Sequence, residues 1–192
     1  MKSPKDQIIH LPNPHLRTRS RRIGLVDKNV QEIIAKMVEA TLDWEDSREH
    51  EVGVALAAIQ MDQPLRIVII RNDFDNKKDR TFKVFINPEI VKLEGEIVED
   101  FEGCLSIQDV YGKVPRYERV KVKALDQTSR PIRVTAKGFL ARVFQHEIDH
   151  TNGKVFVDHI KNNPAAFFKL QADGHLTELD YEKDVRSSDL WE

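Results

Sequence analysis

Two histidines four residues apart, His146 and His150, are the pair whose spacing most directly implies chemistry. On a helix, side chains four apart project from the same face one turn apart, so both imidazoles reach a single metal ion. Glu147 follows the first histidine and sits beside that face, near enough to handle the proton of a water activated by the ion. The string Gln145-His146-Glu147-Ile148-Asp149-His150 has the H-E-x-x-H form of metal-assisted hydrolysis. Taken alone, it also reads as a surface helix with two solvated histidines.

A catalytic metal site takes three protein ligands and leaves one position open. In principle His10, His15, His50, His159, His175 or any carboxylate supplies the third. The better candidate is Cys104, in Phe101-Glu102-Gly103-Cys104-Leu105-Ser106, because Gly103 lets the backbone approach closely and a thiolate binds strongly. On chemistry alone, Cys104 is either that ligand or a small buried hydrophobe.

The elements that must position these residues follow from periodicity. Val30, Ile33, Ile34, Met37, Val38, Thr41 and Leu42 share one face of an amphipathic helix, with Asp27 or Asn29 as its cap. The polar run from Asp43 to Glu51 reads as a surface loop, and Ile8 to Leu16 as a short extended piece broken by two prolines. Strands are expected at Arg66 to Ile70 and Phe82 to Ile86, with Ile90 to Glu99 as a hairpin partner around Gly95. Ser106 to Tyr117 reads as a loop. Val120/Val122/Ala124 and Ile132/Val134/Ala136 alternate cleanly as two strands joined by a polar turn. Phe139 to Thr151 is the motif helix, stopped by Gly153. A last strand at Val155 to Ile160 and a helical turn at Ala165 to Ala172 complete the expectation. The pattern is α+β: antiparallel or mixed sheets around a central metal-bearing helix, with the amphipathic helix at the N-terminal end. Residues 1–161 form a single domain, and 162–192 a polar, acidic C-terminal tail.

At 192 residues, with 40% hydrophobic and 32% charged, the chain is long enough to bury a core and is not broadly disordered. Its net charge of −2 gives no electrostatic case for nucleic-acid specificity. The charge is uneven, however: the first 36 residues carry eight Lys/Arg against three Asp/Glu, and residues 171–192 carry two against seven. Solvated ends explain this more simply than a dedicated docking surface. No apolar run approaches a membrane span, no signal-peptide core follows Met1, and the single cysteine cannot form an internal disulfide. A cytoplasmic location is the default expectation.

Three motifs in order resemble the peptide deformylase family. They read Gly53-Val54-Ala55-Leu56-Ala57-Ala58-Ile59-Gln60, Glu102-Gly103-Cys104-Leu105-Ser106, and the Gln145–His150 string. Ile86-Asn87-Pro88-Glu89, Val114-Pro115-Arg116 and Gly138 to Val143 support them, so the resemblance covers about residues 8–160. It implies a hydrolase of protein biosynthesis and N-terminal processing that removes the formyl group from formyl-methionine on nascent peptides. Cys104, His146 and His150 would hold the metal, natively ferrous iron, with zinc or nickel able to occupy the site. Glu147 would be general base and acid. Gln60 and the Leu105 N–H would meet the formyl oxygen. Val54 and Ala55 would run beside the peptide backbone, with Gly103 also on the substrate side. Phe139, Arg142 and Val143, on the face of His146, would line the methionine pocket. Transient ribosome association is part of what the resemblance implies, although an acidic tail suits RNA poorly. Two departures stand out: Ala55 replaces a family glycine, where a methyl would strain a positive φ or crowd the substrate, and Tyr111 stands where some members bind substrate through arginine. Other readings of the same residues are a protease on the H-E-x-x-H theme and a non-catalytic metal-binding protein.

Overall fold

The computed structural model describes residues 3–191. Helix α1 spans Lys28–Asp46, and the Asp27 carboxylate caps it by accepting the Val30 N–H at 2.9 Å. Its buried face carries Val30, Ile33, Ile34 and Met37, as the spacing predicts. The helix runs further than its charge pattern suggests. Trp44 and Glu45 are buried rather than part of a surface loop, because Glu45 Oε2 takes the Arg71 guanidinium at 2.5 Å and the Gly53 N–H at 2.8 Å. Gly53 is required by space at this crossing: a Cβ there would stand 2.7 Å from Thr41 Cγ2.

Seven strands form one sheet with every pairing antiparallel: β1 Ala55–Ala57, β2 Ile67–Arg71, β3 Phe82–Cys104, β4 Ile107–Leu125, β5 Pro131–Lys137, β6 Phe167–Leu170 and β7 Leu176–Glu178. The order is β1-β2-β3-β4-β6-β7, with β5 also on β4. Strand β4 pairs with β3 along one edge. Its other edge is shared by β5, opposite residues 119–125, and β6, opposite residues 110–112. Helix α2 spans Gly138–Thr151 and ends against Gly153, whose φ is +75°.

Burial explains the unalternating apolar run of β2. Ile67 and Ile69 pack with Ile33 and Met37 of α1, while Val68 and Ile70 pack with Phe144 and Ile148 of α2. A strand covered on both faces needs apolar residues at every position. The sheet therefore lies between the two helices, and α2 is buried along most of its length.

Several expectations are corrected. Ile90 to Glu99 is not a hairpin partner of the preceding strand but its continuation: β3 passes through Gly95, whose φ of +81° sits at a register shift. Ser106 to Tyr117 is not a loop. Only Leu105 and Ser106 turn, and β4 begins at Ile107. Strand β3 is mostly exposed on both faces from Val91 to Phe101 and shows no alternation, while β4 does alternate but buries Gly112 and Arg116 there, which do not read as apolar. Val155 to Ile160 is a short 3-10 turn, Phe156–His159, rather than a strand, and the helical turn expected from Ala165 is strand β6 from Phe167 onward. Ile8 to Leu16 runs into a 3-10 turn at Pro14–Arg17. Residues 162–191 do not hang free as a tail. Ala166, Phe167, Val185 and Leu190 join Cys104, Ile107, Val114 and Phe156 in a third apolar cluster. The acidic residues of that stretch stay outside while its few large apolar side chains dock.

Candidate active site

Cys104 ends β3 at the tip of the hairpin, and α2 presents His146 and His150 towards it. The Cys104 Sγ lies 3.3 Å from His150 Nε2, which is 3.2 Å from His146 Nε2. One donor atom from each of these residues falls within 4.8 Å of the others. His10, His15, His50, His159 and His175 take no part in that group; among the described residues Cys104, His146 and His150 form the only such cluster.

The surroundings fit a metal ion. His146 donates its Nδ1–H to Glu102 Oε2 at 2.9 Å, which leaves Nε2 with a free lone pair facing the cluster. Burial pushes His150 well below its ordinary pKa, so its imidazole is neutral, as a ligand must be. Burial also disfavours charge on His146, but hydrogen bonds and charge from Cys104 and Glu102 outweigh it and hold a proton there well above the usual range. Positive charge is favoured at this spot, and a divalent cation would supply it in place of the proton. A sulfur with two imidazoles and no fourth side-chain ligand among the described residues is the donor set of a catalytic rather than a structural site.

Glu102 is the hub behind this set. Its carboxylate receives Arg116 at 2.9 and 3.1 Å and Arg142 at 2.8 Å. Arg116 continues to Asp149 at 2.5 Å, and Asp149 to His159 at 2.7 Å. Burial alone would raise the pKa of Glu102, but the His146 and Arg116 contacts hold it well below the usual carboxylate range. In the sequence, Glu102 stands only within the Glu102–Ser106 motif and Arg116 only within the supporting Val114-Pro115-Arg116 match. An acidic residue two before a ligand cysteine, with arginines on neighbouring elements, was the available signal.

Glu147 is 4% exposed, and its Oε2 has no hydrogen-bond partner among the described residues. Burial raises its pKa to about 7. Gln60 sits in the 3-10 turn Ala58–Met61 that follows β1. Its Oε1 accepts the Ala57 N–H at 2.9 Å, and its Nε2 donates to Ser106 Oγ at 3.1 Å and lies 3.5 Å from Cys104 Sγ.

A cleft of about 270 Å³ opens over this centre. It is lined by Gln60, Cys104, Leu105, His146 and Glu147, by Ala55 on edge strand β1 and Val54 just before it, and by Gly103, Phe139, Arg142 and Val143. His150 lies fully buried behind them. Arg142 lends only its stem, because its guanidinium is bound to Glu102 and to the carbonyls of Val98 and Val114. Ala55 has no positive φ, which excludes backbone strain and leaves crowding as the effect of its methyl. The outer wall comprises Tyr111, which the resemblance places at a substrate-side position, and Trp44, His50, Glu51, Val52 and Phe101, which were not foreseen there. The Tyr111 ring covers Gly103, where a Cβ would meet ring carbons at 2.7 Å, and its hydroxyl donates to Glu51 at 2.8 Å.

Known proteins resemble this chain in sequence and fold. The sequence model of one family, described as Polypeptide deformylase, matches residues 5–165. A peptide deformylase of Chromobacterium violaceum is 41% identical over 153 residues, covering 80% of this chain and 85% of the relative. One from Pseudomonas aeruginosa is 38% identical, covering 80% and 85%. A crystal structure of a peptide deformylase from Synechococcus elongatus in complex with actinonin superposes with a TM-score of 0.73 at 33% identity, covering 81% of this chain and 80% of that one. A peptide deformylase structure from Legionella pneumophila gives 0.70 at 39% identity, covering 79% and 83%. The chain belongs to the peptide deformylase family.

Proposed function

We infer that this chain hydrolyses the N-terminal formamide of formyl-methionine on newly synthesised proteins, releasing formate and a free α-amine. The observation that carries this reading is an open three-donor centre with a buried, unpartnered carboxylate beside it. Cys104, His146 and His150 would hold one divalent ion, natively ferrous iron, with zinc or nickel as substitutes; thiolate with imidazole suits all three. When bound, such an ion supplies Lewis acidity that eases deprotonation of water near neutral pH and polarises a carbonyl.

The chain's own residues do the rest. Glu147 takes the proton of the attacking water as the new C–O bond forms. It then delivers that proton to the departing amine as the C–N bond breaks. A carboxylate whose burial favours its protonated form suits both halves of that transfer. The Gln60 amide and the Leu105 N–H donate to the formyl oxygen as its charge grows. Val54 and Ala55 offer the free edge of β1 to the peptide backbone. Val143, Phe139 and the stem of Arg142 take the methionine side chain, with Gly103 opposite. No helix among the described residues is long and apolar enough to cross a membrane. We place the activity in the cytoplasm, where nascent chains emerge, with transient contact at the ribosome.

Formate release from a formyl-Met peptide tests this reading against Glu147→Gln. Turnover should fall about 10²–10⁴-fold with metal content unchanged. Peptide-bond cleavage without formate would overturn it in favour of a protease.

A further inference from the structure

The basic run Arg17-Thr18-Arg19-Ser20-Arg21-Arg22 has no part in the chemistry above. The fold nonetheless fixes it in place. The Ser20 N–H donates to the Thr151 carbonyl at the end of α2 at 2.9 Å, the Arg21 N–H to Pro64 at 2.9 Å, and the Arg66 N–H back to Arg21 at 3.0 Å. Beside this strap lies a cleft of about 620 Å³ lined by Arg19, Ser20, Arg22 and Arg66, with Glu89 and Asp149 at its side. It shares no residue with the deformylation cleft.

Its polar groups are out of balance. Ser20 is 5% exposed and its Oγ has no partner; Arg66 is 7% exposed and its Nε has none. The other nitrogens of Arg66 are used, on Asn152 Oδ1 at 3.1 Å and the Pro88 carbonyl at 3.2 Å. Among the described residues Arg19 has no carboxylate partner, and Arg22 reaches Glu89 only at 3.5 Å. The two carboxylates are already engaged, Glu89 by Lys123 at 3.2 Å and Asp149 by Arg116 and His159. Burial lowers the pKa of Arg66, the nearby charges of Arg19 and Arg22 lower it further, and Glu89 offsets this only in part. Donors and positive charge converge here on a concave surface whose two carboxylates, Glu89 and Asp149, are each already shared with cations outside it.

A tetrahedral oxyanion is the complement of such a surface. Guanidinium groups pair with its oxygens in parallel hydrogen bonds, and a buried hydroxyl without a partner donates to a third. We propose that the cleft formed by Arg19, Ser20, Arg22 and Arg66 binds a phosphate group. The group is either free phosphate or a phosphodiester of a polynucleotide backbone. Ser20 and Arg66 both line the cleft, so a small adjustment of these side chains would bring their orphan atoms to a bound oxyanion.

Calorimetric titration of the full chain with inorganic phosphate, at constant ionic strength in chloride, tests this, alongside fluorescence anisotropy with a labelled oligouridylate. One saturable site per chain is expected. The Arg19→Ala/Arg22→Ala double variant should weaken it about tenfold or more, as expected for loss of charge-assisted hydrogen bonds. Ser20→Ala, which removes no charge, should weaken it by a smaller but measurable factor, and formate release should be unaffected in both variants. Oligouridylate binding that inorganic phosphate displaces assigns the polynucleotide as the source; phosphate binding alone assigns the free ion. The proposal is overturned if neither probe saturates, if binding survives the double variant, or if Ser20→Ala binds like the unaltered chain.

Discussion

The cleft has two halves built in different ways. The inner half gathers charged and ligating groups from the β3–β4 tip and α2, and a chain of hydrogen bonds and ion pairs locks most of them, His146 by Glu102, Glu102 by two arginines and Arg116 by Asp149, while Glu147 Oε2 is left without a partner. The outer half is a wall of aromatic and small residues held by packing between segments distant in sequence. Phe101 on β3 stands edge-on to Phe168 of β6 at 5.0 Å, and Lys113 caps both rings at 5.3 and 5.1 Å. Strand β6 also pairs directly with Tyr111. The inner half positions atoms for bond making. The outer half shapes space for a peptide. Damage to the first should appear in metal affinity and turnover, and damage to the second in KM.

Glu102→Gln breaks this comparison most severely. It removes the one carboxylate that orients His146 and balances Arg116 and Arg142. Metal affinity should fall about 10–100-fold, and stability by about 3–5 kcal/mol, chiefly because the buried Arg142 loses its carboxylate while Arg116 keeps Asp149. Metal-buffered titration and thermal melts check both. Unchanged metal affinity would show that the carboxylate serves packing alone.

Phe168→Ala sits at the other extreme. It lies beyond the residues matched by the family model and touches no reacting group, yet it supports Phe101 on the cleft wall. KM for a formyl peptide should rise about tenfold, the order of one lost apolar contact, while kcat and metal content hold. Equal loss in kcat would mean that the C-terminal strand supports the metal centre as well.

Ala55→Gly gives the smallest effect. Without backbone strain to relieve, the gain comes only from removing a methyl beside the peptide, so kcat/KM should rise by less than about tenfold. No change would show that the substrate passes clear of this position.

The same division explains what was legible in the sequence. Metal ligands and an acid–base residue must have particular side chains at particular helical offsets, so His146, Glu147 and His150 declare themselves, and Cys104 becomes a candidate as a lone thiol in a glycine-flanked turn. The helix α1 face and the β4–β5 alternation were equally open, because one-sided burial imposes a period. The long β3–β4 arm was not, since β3 is mostly exposed on both faces from Val91 to Phe101 and the buried positions of β4 include Gly112 and Arg116, which carry no apolar signal. Glu45 read as loop because its charge suggested water, whereas Arg71 takes it inside. The C-terminal segment read as a tail because its docking rests on a few side chains, such as Phe167 and Val185, set among acidic neighbours. Packing of that kind depends on a partner surface that no local pattern encodes.

The central claim is a single ion held by one sulfur and two imidazole nitrogens with a position left open. X-ray absorption at the metal edge of protein purified without oxygen tests it directly. The account predicts one sulfur at about 2.3 Å, two nitrogens near 2.0–2.1 Å and one further light atom from solvent, as in catalytic sites of mixed thiolate and imidazole. A shell with no sulfur, or one closed by a fourth protein ligand, would contradict it.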